Sequence, residues 1–157
     1  MTLSIRPVTK ANWRELSELR VREDQTHFVV SNIYSIAESH YGYDDPEDVG
    51  HWDMYPYGIY DDELPVGFLM YGVNYSGRKF QTFIVRLMVD EKHQGKGYGK
   101  FGMQKLLEEF REDNRIHAVG ISYEPENEAA RKLYASLGFL ETGEMYGDET
   151  LAVIHLR

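Results

Sequence analysis

The sequence predicts an α/β domain built on a mixed sheet, and three observations predict it. Apolar stretches of strand length alternate along the chain with stretches of helical periodicity. A glycine-rich turn, "HQGKGYGK" from His93 to Lys100, stands between one such strand and one such helix. No repeat, low-complexity tract or Pro/Ser-rich linker divides the 157 residues, so a single domain over 1–157 is expected.

The elements follow in order. "LSIRPV" alternates and reads as a first strand, followed by a helix with Trp13, Leu16 and Leu19 on one side. Ser31 is placed to cap a second helix whose Ile33, Ile36, Ala37 and His40 fall at i, i+3, i+4 and i+7. "YGYDDPEDVGHWD" is acidic, aromatic and broken by Gly and Pro, and reads as a loop or short helix. "YGIYDDELPVGFLMYGVNY" reads as two strands about an Asp-Asp-Glu-Leu-Pro turn. The strand Thr82 to Val89 is apolar on both faces apart from Arg86, which predicts a central position covered on both sides. After the glycines, Met103, Leu106, Leu107 and Phe110 form one helical face. "HAVGIS" is a further strand, and the next helix carries Ala130, Leu133, Tyr134 and Leu137 on one side, with Gly138 as its left-handed cap. Two strands about a Gly-Asp turn close the chain.

Composition narrows the function. A chain of this length buries roughly 68–70% of its unfolded surface, enough for one core. With 26 acidic against 17 basic residues the net charge is −9, which disfavours nucleic acid and favours a cationic partner. The absence of cysteine removes disulfides, thiolate zinc sites and cysteine nucleophiles, and the first residues lack a signal-type apolar run. A cytoplasmic protein with no membrane contact is expected. The six histidines are scattered without metal-ligand spacing, so no metal is expected.

Glycines between a strand and a helix let backbone amides approach an anion at the helix N-terminus, a design that suits phosphate. The loop departs from a P-loop, because Lys100 is followed by Phe101 rather than Ser or Thr. It departs from the dinucleotide fingerprint as well, since the glycines fall at 95, 97 and 99. Gln94-Gly95-Lys96-Gly97-Tyr98-Gly99 does match Q/R-x-x-G-x-G/A, and "NEAARKLYASLGF" matches N-x-x-A-x-x-x-Y-x-x-x-G-F in the correct order. By these two motifs the chain resembles the GNAT N-acetyltransferases over nearly its whole length.

The resemblance implies a GNAT fold: a mixed, mostly antiparallel sheet flanked by helices and splayed where acetyl-CoA binds. It implies direct acetyl transfer from acetyl-CoA to a primary amine. By the same resemblance, Leu87, Met88 and Val89 hold the pantetheine arm, and a backbone N–H near Met88 polarises the thioester. Gln94, Gly95, Lys96, Gly97, Tyr98, Gly99 and Lys100 bind the pyrophosphate, Asn127 and Lys132 contact the coenzyme, and Tyr134 protonates the departing thiolate. Many relatives carry a glutamate on the strand that here reads "KFQTFIVRLMV", which has no acid. The proton acceptor is therefore left open among water, backbone carbonyls and a carboxylate such as Glu124.

Gln25, Phe28, Val29, Asn32 and Ser35 resemble a pattern in bacterial spermine/spermidine acetyltransferases, which implies a polyamine acceptor. A flexible polycation suits separated carboxylates and aromatic faces. Glu23, Asp24, Gln25, Tyr41 and Trp52 are the candidates, beside the acids Asp44, Asp45, Glu47 and Asp48. Other acceptors remain in view, namely a protein N-terminus, lysine, amino acid or aminoglycoside, as does a non-catalytic acyl-CoA sensor. The resemblance also admits a homodimer that exchanges the C-terminal strand.

Overall fold

A computed structural model of the chain describes residues 2–26, 30–46 and 50–157. Along it run β1 (Leu3–Pro7), α1 (Trp13–Ser17), α2 (Asn32–Ser39), β2 (Tyr43–Asp44), β3 (His51–Asp61), β4 (Leu64–Val73) and β5 (Thr82–Val89). They are followed by α3 (Tyr98–Glu112), β6 (Ala118–Tyr123), α4 (Glu128–Ser136), β7 (Leu140–Tyr146) and β8 (Glu149–His155). The sheet has the order β1-β3-β4-β5-β6-β8-β7, with β2 paired to the start of β3. Every neighbouring pair is antiparallel except β5 with β6. The mixed, mostly antiparallel sheet expected from the sequence is present.

Alternating side chains of the central strands feed two cores, as the period of a strand requires. Ile59, Leu69 and Ile84 meet the α3 face formed by Met103, Leu106, Leu107 and Phe110, together with Tyr134 from α4. Tyr60, Phe68, Met70 and Met88 point the other way and meet Leu16 of α1 and Ile36 of α2. This two-sided burial is why β4 and β5 read as apolar runs.

Two elements differ from expectation. The inner face of α2 is Asn32, Ser35 and Ile36, whereas Ile33, Ala37 and His40 are exposed. The reason is a hydrogen bond rather than an apolar stripe. Asn32 Nδ2 donates to Leu16 O at 2.9 Å and satisfies a carbonyl at the end of α1. Ser31 caps the helix as expected, accepting from the Tyr34 N–H at 3.3 Å. The second difference is β3, which begins at His51, so Trp52 belongs to a strand rather than a loop. Pro56 does not break that strand: it stands where β1 ends, opposite Val8, whose N–H still donates to Pro56 O at 2.9 Å, and a strand tolerates proline at such a place.

The feature that positions the site is the short register of β5 with β6. Only Thr82, Phe83 and Ile84 pair, with Val119, Gly120 and Ile121. On its other side β5 carries a bulge: Ile84 lies opposite Tyr71 and Arg86 opposite Met70, leaving Val85 over. Beyond Ile84 the strands part. Their joined end is pinned by buried Gln81, whose Oε1 accepts from the N–H groups of His117 and Ala118 at 2.8 and 3.2 Å. Its Nε2 donates to Gly77 O at 3.0 Å.

Gln81→Leu strands these backbone groups without partners, at about 1–3 kcal/mol per unsatisfied group. An unfolding free energy lower by at least that much, read as a lower urea midpoint, is expected, and an unchanged midpoint would contradict the pinning role.

Candidate active site

The gap between the parted strands opens into a cavity of about 570 Å³. Ile84, Val85, Arg86 and Leu87 of β5 line it consecutively. A regular strand shows a cavity every second residue; here the bulge and the lost partner expose four in a row. Ile121, Ser122 and Tyr123 of β6 form the facing wall, and Asn127, Ala130 and Tyr134 close one end from α4.

Tyr134 is 8% exposed, with its ring against Tyr123 and Phe139 at centroid distances of 5.6 and 6.1 Å. Burial raises its pKa well above that of a free phenol, and the charges of Tyr123 and Glu149 add to the effect. Tyr134 lines the cavity, and no hydrogen bond of its hydroxyl is found among the described residues. Tyr123 beside it is pushed up to about 12 by burial and by donating to Glu141 Oε1 at 2.8 Å. Asn127 caps α4, its Oδ1 accepting from the Ala130 N–H at 3.1 Å.

The glycine loop lies past the end of β5, outside the lining of this cavity. Gly95 and Gly97 have φ of 79° and 84°, and a Cβ added at either meets nothing within 4 Å. Positive φ at two glycines with open space beside them leaves the backbone of the loop accessible, which fits the approach of an anion. Lys96, Lys100 and Lys132 are exposed, and none of them is held in an ion pair among the described residues. The Gln94 side chain is spent on the loop itself, Nε2 donating to Val89 O at 3.0 Å and to Gln25 Oε1 at 2.9 Å. The Tyr98 side chain is likewise committed, buried with its hydroxyl donating to Asp61 Oδ2 at 2.6 Å. What Gln94 and Tyr98 offer a ligand is backbone. A Cβ at Gly99 would stand at ordinary contact distance from Val89, and Met88 packs in the α1/α2 core, whereas Leu87 and Val89 pack on the α3/α4 side.

Of the residues expected to meet the acceptor, the structure brings Trp52 to the cavity wall, 4% exposed with its indole N–H unpartnered. Gln25 is instead the support of Gln94. Glu23, Asp24 and Tyr41 are exposed and outside the lining, Asp24 paired with Arg22 at 3.5 Å. Phe28, Val29, Glu47 and Asp48 lie outside the described residues. Among the described residues, the carboxylates that line the cavity are Glu38, Asp45, Glu124 and Glu149, against one cation, Arg86. Only Asp45 and Glu124 drew notice in the sequence, because Glu38 and Glu149 belong to no motif. Among the described residues no group of three or more histidine or carboxylate side chains forms a metal-ligating cluster, and no helix is long and apolar enough to cross a membrane.

The model of the acetyltransferase (GNAT) family matches residues 11–139. The chain belongs to this family. It is 28% identical over 155 residues to the spermine/spermidine N(1)-acetyltransferase of Bacillus subtilis (strain 168), covering 92% of each chain. The fold is shared with the spermidine N-acetyltransferase of Vibrio cholerae, solved with CoA and spermine, at a TM-score of 0.71 and 17% identity over 98% of this chain and 95% of that one. It is shared equally with the aminoglycoside acetyltransferase AAC(6')-Ib, solved with coenzyme A, at a TM-score of 0.71 and 16% identity over the same shares.

The burial of Tyr134 leads to a spectroscopic outcome. Neutral phenol is the favoured form, so the stability it brings is present below the free-phenol pKa of about 10 and is lost as pH rises above it. In an alkaline absorbance titration Tyr134→Phe is expected to remove no phenol from those ionising below about pH 11. Loss of one titrating phenol in that range would contradict the burial of Tyr134.

Proposed function

We propose that the protein transfers an acetyl group from acetyl-CoA to a primary amine of a polyamine such as spermidine or spermine. The observation that carries the acceptor is the charge of the cavity that Tyr134 also lines: among the described residues, four carboxylates against one arginine. Separated carboxylates in a partly desolvated cleft favour a chain of ammonium groups. The similarity to a spermine/spermidine acetyltransferase supports the same choice.

In this reading the coenzyme's pyrophosphate sits against the amides of residues 94–100, with Lys96, Lys100 and Lys132 adding positive charge and Asn127 lying along the arm. The unpaired edge of β5 at Leu87, Met88 and Val89 takes the pantetheine, and a backbone N–H near Met88 stabilises the oxyanion. One proton of the substrate ammonium leaves to solvent, and the free amine attacks the thioester carbonyl carbon. The C–N bond forms, the C–S bond breaks, and the second amine proton is balanced by the one Tyr134 gives to the thiolate. The exposed edge strand β7 and the dodecameric state of the Vibrio cholerae neighbour support self-association, of which a homodimer is the simplest form.

A coenzyme A release assay over spermidine, spermine, aminoglycosides, amino acids and a peptide tests the acceptor. Highest kcat/KM for the polyamines is expected; an aminoglycoside or amino acid ahead of both would overturn the choice. Tyr134→Phe is expected to lower kcat by roughly 100-fold or more while leaving acetyl-CoA binding in place. Gly97→Glu is expected to abolish calorimetric acetyl-CoA binding in a folded protein, because its side chain enters the space beside the amides. Unchanged binding there would sink the role given to the loop.

A further inference from the structure

The strand that in many relatives bears an acid here bears Arg86, and the structure shows what faces it. Arg86 Nη2 meets Glu38 Oε1 at 3.3 Å, linking β5 to α2. With side chains 22% and 26% exposed, this is the most buried ion pair among the described residues. Both partners line the cavity. The bulge at Val85 aims Arg86 inward, and its Nη1 is fixed on Val85 O at 2.9 Å, while Nε is buried without a partner among the described residues.

The polar inner stripe of α2 has the same direction. Asn32 lies over β5 at Met88, with Nδ2 3.7 Å from its sulfur, and Glu38 lies over β5 at Arg86. The helix therefore runs along the open strand and delivers a carboxylate to the bulge. Glu38 Oε1 is engaged by the guanidinium, and Oε2 has no hydrogen bond among the described residues.

We propose that Glu38 receives the reacting nitrogen of the acceptor, and that Arg86 positions Glu38 and offsets its charge, so that the nitrogen is held there as the free amine. This rests on the acetyltransfer reading given above but not on the polyamine. A carboxylate alone holds an ammonium and stabilises the unreactive form; a carboxylate already paired with a guanidinium still accepts an N–H but gains little from a second cation. A neighbouring positive charge lowers the pKa of an amine in the same way that it activates a catalytic lysine. The other charged groups lining the cavity among the described residues are Asp45, Glu124 and Glu149. The other titratable side chains of the wall are the phenols Tyr43, Tyr123, Tyr134 and Tyr146.

The test is steady-state kinetics against pH, using whichever amine of the panel gives the highest kcat/KM, so that a wrong acceptor and a wrong anchor are told apart. Glu38→Gln is expected to raise the amine KM roughly 10- to 100-fold through loss of a charge-assisted hydrogen bond, with calorimetric acetyl-CoA binding unchanged. Glu38→Asp, which keeps the charge, is expected to fall between. Arg86→Gln leaves Glu38 uncompensated, and the rise of kcat with pH, which reports the bound amine, is expected to move upward by about one unit, with Arg86→Lys restoring it. An amine KM that ignores Glu38→Gln and responds instead to Glu149→Gln would overturn the assignment of the anchor. A pH profile unmoved in Arg86→Gln would overturn the role of the arginine.

Discussion

The site depends on a constraint of the backbone: β5 and β6 run parallel for three residue pairs and then separate. Buried N–H and C=O groups seek partners, and a central strand that loses its neighbour for half its length leaves a row of them open. The bulge at Val85 turns the adjoining side chains into the gap, and Gln81 locks the end at which the strands still meet. Neither α3 nor α4 fills the opening. They pack against the sheet on one face, α3 following the glycine loop and α4 carrying Tyr134 to the cavity.

Charge is divided along this opening. The net charge of −9 conceals a local division: Lys96 and Lys100 are exposed on the glycine loop, while Glu38, Asp45, Glu124 and Glu149 line the cavity. Tyr134 lines the same cavity, and its burial favours the neutral phenol. In the proposed function an anionic donor and a cationic acceptor are drawn to these different regions. In the same proposal the ion pair of Arg86 with Glu38 offsets charge at one point of the cavity, so that the acceptor nitrogen there is not held protonated.

Much of the fold was legible because apolar spacing and packing coincide. The α3 face of Met103, Leu106, Leu107 and Phe110 is buried as its periodicity predicts, β5 is central, and Gly138 adopts φ of 102° as a left-handed cap. The reading failed where polar groups set the geometry. The inner face of α2 is chosen by Asn32 bonding to Leu16 O, which no hydrophobic period reports. The first half of β3 falls in a stretch that reads as a loop, acidic and aromatic with Gly and Pro, yet it pairs with β4 from Asp53 onward. In the site, the glycine loop and Tyr134 were visible through contiguous motifs. Glu38 and Glu149 come from separate elements and meet only through the topology, whereas Glu23 and Asp24, conspicuous in the sequence, stand outside the cavity.

Hydrogen–deuterium exchange of the β5 amides, with and without coenzyme A, tests the open strand most directly. Amides of residues 82–84 are expected to be protected in both states, while those of residues 85–89 that do not face β4 exchange quickly in the free protein and become protected on binding. Fast exchange of those same amides in the saturated complex would contradict the claim that the parted strand is the surface on which the donor is held.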